Sequence, residues 1–179
     1  LSGRFMRASD FSDYAGEENA DWKLIQLEQG TDKVKLPIGT LGYRWEEENT
    51  GRWNLQNKDN AGDDFDPMLT CINDDGSFDE EVQVNFADFT DTFDTTLGAT
   101  EGKGKDSVTV KRGVPVKRVT NANGEEVLVT TAFDVLLSHL GINRGLSGDY
   151  PTDYDDASQA YSPAWQEQET GIDRDLVTR

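Results

Sequence analysis

The clearest periodic signal in the chain lies late. Phe133, Leu136, Leu137 and Leu140 stand at i, i+3, i+4 and i+7, the spacing of one apolar helix face. It predicts a helix over residues 132 to 140, ended by Gly141. Just before it, Val114–Val119 and Glu126–Thr130 flank Asn121-Ala122-Asn123-Gly124-Glu125. Asn-Gly supplies the positive φ angles of a tight turn, so a hairpin is expected there. Glu81-Val82-Gln83-Val84-Asn85-Phe86 alternates in the manner of a half-exposed strand.

Upstream the pattern is weaker. Residues 7 to 16 read as a short helix, with Ser9 or Asp10 accepting from its first N–H groups and Gly16 as its left-handed stop. Asp21–Glu28 reads as a strand and Gln29-Gly30-Thr31-Asp32 as a turn. Lys33–Leu36 is a second extended run, broken by Pro37 and Gly39. Leu41–Trp45 and Arg52–Gln56 are aromatic-rich extended pieces. Residues 57 to 80 are loop-like, because Asn, Asp, Gly and Pro tolerate turn geometry. Residues 90 to 106 read as a long loop. Near the end, Ser162 before Pro163 marks a short helix, and Asp173 caps another that has six residues left to run.

The pattern predicts an α+β fold, mainly antiparallel strands and hairpins with short peripheral helices. Residues 1–131 form a strand-rich, insertion-like region. Residues 132–179 hold a helix, a polar loop and the start of another helix. No internal repeat or composition break divides the 179 residues, and the length fits one domain burying about 70% of its unfolded surface. Without an initial Met, and with a helix begun so near the last residue, the chain reads as a piece of something longer.

Composition changes this picture by exclusion. Apolar residues make up 35%, yet four Trp, eight Phe and five Tyr supply bulk for a modest core. No run approaches the 18 apolar residues of a membrane span, and the first residues have no signal-peptide pattern. Thirty-five acidic against 17 basic residues give a net charge of −18. That charge opposes nucleic acid, whose phosphates call for Lys and Arg, and opposes an anionic membrane surface. It suits a hydrated, self-repelling surface of the salt-adapted kind. One cysteine, Cys71, excludes an intrachain disulfide framework and a Cys-built metal cluster within the chain.

Candidate chemistry is sparse. His139, the one histidine, has no thiol or second imidazole beside it in sequence and reads as structural. Cys71, between Thr70 and Ile72, reads as a small buried hydrophobe. With Gly62 or Gly76 at the sixth position of a calcium loop, the first carboxylate and the closing glutamate are both missing. Gly102-Lys103-Gly104-Lys105 lacks the Ser or Thr of a phosphate loop. The acidic residues are too many for sequence to select a glycosidase pair. Trp22, Tyr43, Trp45 and Trp53 suit a core more readily than a sugar or peptide groove.

Several runs, in order, resemble the catalytic alpha subunit of membrane-bound respiratory nitrate reductases. They are Gly3–Asp10, Gly16-Glu17-Glu18-Asn19 with Asp21-Trp22-Lys23, Gly39–Trp45 with Arg52-Trp53-Asn54-Leu55, and Leu128–Asp134. Gly141-Ile142-Asn143-Arg144-Gly145 and Tyr161–Gln168 with Thr170-Gly171 complete the series. The resemblance is weakest between residues 57 and 112. It implies a large oxidoreductase with a molybdenum bis-(molybdopterin guanine dinucleotide) centre and a 4Fe–4S cluster. Such an enzyme takes electrons from quinol, through an iron–sulfur beta subunit and a haem-bearing membrane gamma subunit, to reduce nitrate to nitrite.

The family's cluster-ligating His/Cys motif and molybdenum-ligating Asp belong to motifs that precede this stretch, and neither motif is found here. The resemblance therefore implies an inactive internal piece with no catalytic or metal-ligating residue and no cofactor of its own. Thr130 and Thr131 occupy the place of a turn that, in related molybdenum enzymes, approaches a cofactor phosphate before a helix. Without that motif's Gly and Asp they read first as a helix cap. The rest of the alpha subunit is the expected partner, with no nucleic acid and no direct membrane insertion. The cytoplasmic membrane face is the expected location, or the external face in a salt-adapted archaeon. A chlorate- or selenate-type molybdenum oxidoreductase, and a stand-alone acidic module for carbohydrate or calcium, are the alternatives.

Overall fold

The computed structural model describes residues 3–38, 57–87 and 109–178. The aromatic-rich pieces at 41–45 and 52–56 and the long loop at 90–106 lie outside the described residues. The chain divides into two compact units: Leu1–Cys71 with Lys117–Thr131, and Ile72–Val116 with Ala132–Arg179.

The first unit opens with two 3₁₀ turns, Ala8–Asp10 and Ser12–Tyr14, where one short helix is expected. Phe11 separates them with extended backbone (φ −127°, ψ 134°), because its ring is buried in the core. Asp10 does take the anticipated N–H, from Arg7 at 2.8 Å. Gly16 is not the left-handed residue; Asn19 is, at φ 57°. Asn tolerates that region because its short amide bonds locally. The chain then doubles back, with Ala8 N–H on the Lys23 carbonyl (2.9 Å) and Ile25 N–H on that of Met6 (3.2 Å).

That reversal uses up the front of the strand expected over 21–28, leaving β1 as Gln26–Leu27. It pairs antiparallel with β2, Val34–Lys35, across the expected turn, where Gly30 has φ 75°. Pro37 does not end the extended run. It opens β3, Pro37–Ile38, against β4, Lys58–Asp59. A proline is tolerated at the first residue of a strand because no ladder N–H is needed there. Ala8, Phe11, Ala20, Ile25, Leu27, Leu36 and Val119 form the apolar core.

In the second unit β5, Glu80–Ala87, pairs antiparallel with Thr109–Val116, the first part of β6 (Thr109–Thr120). The remaining residues of β6, in the first unit, pair with β7, Glu126–Val129, from Lys117↔Val129 to Thr120↔Glu126. The hairpin is therefore present, but its loop is wider than a two-residue turn. Among its residues only Gly124 has positive φ, at 79°. The Asn121 side chain accepts from the N–H groups of Asn123 and Glu125, so it shapes the loop as an Asx turn.

Helices α1 (Ala132–His139), α2 (Pro163–Thr170) and α3 (Arg174–Val177) all belong to the second unit. The Ser162 hydroxyl accepts from Trp165 N–H at 2.9 Å and Gly171 closes α2 at φ 71°. Asp173 caps α3 through Asp175 N–H at 2.8 Å. Short helices with antiparallel pairs throughout make the arrangement α+β, as the pattern predicts.

The surprise is α1. Its fully buried positions are Asp134 and Ser138, while Phe133, Leu136 and Leu140 are 38, 51 and 39% exposed.

Candidate functional site

The second unit is organised around one side chain, Arg112, fully buried at the middle of β6. Its Nε donates to the Asp149 carbonyl at 2.7 Å and its Nη2 to that of Ala160 at 2.9 Å. Nη1 donates to the carbonyls of His139, at 2.7 Å, and Ser138, at 3.3 Å. The last two are terminal carbonyls of α1, where the helix dipole favours a cation. Tyr150 and Tyr161 present their rings 5.5 and 5.7 Å from the guanidinium carbon. Burial pulls the guanidinium below its ordinary pKa, opposed by Tyr150, Tyr161 and Asp149. It remains a cation, as arginine does in proteins.

Glycines let the chain close over it. Residues 147 to 150 lie along β6, with Gly113 N–H on the Ser147 carbonyl and Asp149 N–H on that of Lys111, both at 2.7 Å. Tyr150 Oη donates to the Gly113 carbonyl at 2.8 Å. Gly148 bridges Arg112 at φ 120°, and a Cβ there would sit 2.4 Å from the Lys111 carbonyl oxygen. At Gly141 a Cβ would meet the guanidinium carbon at 3.2 Å.

Around this knot run aromatic contacts. The His139 ring stacks on Phe86 (centroids 5.2 Å apart, 11°) and meets Tyr161 edge-on at 5.2 Å, and Tyr161 tilts against Trp165 at 5.4 Å. His139 Nε2 also lies 2.9 Å from Tyr161 Oη. The lone histidine is thus packed in an aromatic stack. On the buried side of α1, Asp134 pairs with Arg144 at 2.7 Å. Ser138 Oγ is buried with no hydrogen-bond partner among the described residues.

Arginine among Val-rich neighbours, two polar residues four apart on α1, and Gly141-Gly145-Gly148 were the signals in sequence. Of these, only Gly141 is read from sequence, as a helix stop. The geometry locks together four main-chain segments; among the described residues it presents no nucleophile and base aimed at a shared point.

The residues nominated from sequence are dispersed. Thr130 and Thr131 are half-buried between β7 and α1, with Thr131 immediately before Ala132. Cys71 is fully buried. Trp22, for which a core place is the expectation, is 75% exposed, and Tyr43, Trp45 and Trp53 lie outside the described residues. The acidic loops bind themselves. Asp59 accepts from Lys35 Nζ at 2.8 Å and from the N–H groups of Ala61 and Asp63, and Asp75 from Ser77. Among the described residues no three His, Cys, Asp or Glu side chains gather in a way that could hold a metal ion.

No family model matches the chain. What it matches nearly end to end is one class of protein, the alpha subunits of nitrate reductases, and the stretch it corresponds to is an internal segment of that subunit. It is 36% identical to the respiratory nitrate reductase 1 alpha chain of Escherichia coli (strain K12) over 181 residues, covering 99% of this chain. The nitrate reductase alpha chain of Bacillus subtilis (strain 168) is 32% identical over 179 residues, again 99% of the chain. The nitrate reductase alpha subunit of Mycobacterium tuberculosis (strain ATCC 25618 / H37Rv) is 37% identical over 173 residues, or 96%. The chain spans only 12 to 14% of the length of these relatives.

Proposed function

We propose that these 179 residues form a scaffold segment of the catalytic alpha subunit of a respiratory nitrate reductase, a polypeptide that reduces nitrate to nitrite with electrons from quinol. The observation that carries this reading is similarity over 96 to 99% of the chain to subunits of that name. In it, the molybdenum bis-(molybdopterin guanine dinucleotide) and the 4Fe–4S cluster sit on other parts of the subunit. The donor set described here does not fit either group, so no step of the reaction is assigned to this chain. Thr130 and Thr131 act as the cap of α1 rather than as a cofactor contact, since Thr131 holds the residue position before the helix and threonine accepts well there. An iron–sulfur beta subunit and a haem gamma subunit are the companions, and they hold the complex to the cytoplasmic membrane face, or to the external face in a salt-adapted archaeon. Among the described residues no helix is long and apolar enough to cross a membrane.

The role assigned to the segment is mechanical. Arg112 ties β6, the end of α1, the 147–150 segment and Ala160 to one another, and so gives neighbouring parts of the subunit a fixed surface. An antibody against the chain, used on membrane and soluble fractions of nitrate-grown anaerobic cells, tests the reading. The expected band is nitrate-induced, membrane-associated and several times larger than 19.9 kDa. A soluble band near that mass would sink it and return the acidic binding module. If the large polypeptide, once purified, reduced chlorate or selenate and left nitrate untouched, the substrate assignment would change while the scaffold role stood.

A further inference from the structure

Val135 of α1 packs on its own unit's core and Leu137 is half-buried, but the rest of the helix's apolar surface faces away. Phe133, Leu136 and Leu140 form a ridge at helical spacing, exposed by 38, 51 and 39%, and Ile142, just beyond the helix, is exposed by 48%. Scattered exposed leucines are ordinary on a protein surface. A ridge at helical spacing is not, when the opposite side of the same helix buries Asp134 and Ser138.

We infer that this ridge is a docking face within the subunit, covered by an apolar segment of the same polypeptide that lies outside these 179 residues. The inference rests on the scaffold reading above and deepens it. Two observations select the occupant. The four side chains offer on the order of 300 Å² of apolar surface, against about 800 Å² per partner in a stable interface between separate chains. A patch that small holds a neighbour only when a tether raises its effective concentration. The relatives, of which this chain spans 12 to 14%, have six-sevenths of their length left to supply that neighbour. A second copy is opposed as well by charge, since each copy brings −18 to the encounter.

The test places a photo-crosslinking residue on the ridge of the full-length polypeptide in its native complex. p-Benzoylphenylalanine replaces Leu136 in one variant and Leu140 in a second, so that a folding failure in one does not end the experiment. Crosslinked peptides are then mapped by mass spectrometry. The expected result is that most crosslinked product joins the ridge to the same polypeptide, outside residues 1–179. Crosslinks to a companion subunit, to a second alpha chain or only within residues 1–179 would each overturn it. So would the absence of a crosslink from both variants, since the ridge would then face water. Should the polypeptide carrying the segment prove not to be a nitrate reductase, the scaffold reading fails on its blot and activity. The crosslink map would still say whether the ridge is covered from within the chain.

Discussion

The two units share one way of holding buried charge, and the second adds another. In the first, each buried ion meets an ion: Asp59 pairs with Lys35 at 2.8 Å and Lys117 with Asp32 at 3.2 Å, beside an apolar core of seven side chains. The second also holds a buried ion pair, Asp134 with Arg144 at 2.7 Å, and an apolar core of Phe86, Val110, Val114 and Ala160, but its most buried large side chain is Arg112, whose hydrogen bonds end on four main-chain carbonyls. An ion pair ties two side chains and answers to pH. A guanidinium on carbonyls ties backbone to backbone, and nothing in its partners titrates. The second unit gains a rigid frame by this route and leaves Phe133, Leu136 and Leu140 exposed.

The largest expected effect follows from that contrast. Arg112→Met keeps the bulk and removes the donors, leaving carbonyls of Ser138, His139, Asp149 and Ala160 without them. Stability should fall by about 4 kcal/mol, the range for breaking a buried charged network. Arg112→Lys should recover little, since a single ammonium cannot span the same fork of carbonyls. The urea midpoint of the purified polypeptide is the readout. If Arg112→Lys matched the wild type, the carbonyl knot would be irrelevant and the two units would not differ as argued.

Next in size is Gly148→Ala. It places a methyl group 2.4 Å from the Lys111 carbonyl oxygen and strains a φ of 120°, for a loss of about 2 to 3 kcal/mol. Gly145→Ala is the matched control. Its φ of 85° is also unfavourable, but a Cβ there meets nothing within 4 Å, so about 1 kcal/mol is expected. Equal losses would mean that close packing of residues 147–150 on β6 adds nothing. A similar loss of about 1 kcal/mol is expected for Ser162→Ala, which removes the hydroxyl that caps α2 at Trp165 N–H.

What could be read from sequence follows the same divide between local and distant causes. The Ser162-Pro163 start and the Asp173 cap are settled within four residues, and both are found; the Gly171 stop is equally local and was not read. The Glu81–Phe86 strand and the hairpin are found as well, though Asn121 widened the loop by bonding its own backbone. Arg112 was illegible because its partners lie 26 to 48 residues away, and an arginine after Lys111 looks like any solvated strand residue. The α1 pattern located the helix but not which side faces its unit. Asp134 and Ser138 are buried because Arg144 and the Arg112 knot lie on their side, and helical period carries no record of that. The 3₁₀ turns failed for a similar reason, since burial of Phe11 overrode the local helical preference.

Acid should separate the units. Asp59 is held below the usual carboxylate range, first by the Lys35 hydrogen bond and then by the N–H groups of Asp63 and Ala61, against the opposing effect of burial. Glu17 is held low by Lys23 and Asn60. A carboxylate whose folded pKa is depressed contributes stability that is complete above its unfolded value and is lost as pH falls through the folded one. At neutral pH the acid effect is therefore nil, and it grows only below the ordinary carboxylate range. Asp156 in the second unit is also held low, by the Ser158 hydroxyl and Thr152 N–H, but neither its carboxylate nor those two donors bonds Arg112. Hydrogen exchange followed from neutral to acid pH should show residues 57–63 losing protection first, while the Gly113 amide, held by the Ser147 carbonyl, keeps its own. Asp59→Asn should make protection of the 57–63 peptide low and nearly independent of pH. If both opened together as the pH fell, charge on charge and charge on carbonyl would be equivalent devices here, and the contrast between the units would have no consequence for how the segment comes apart.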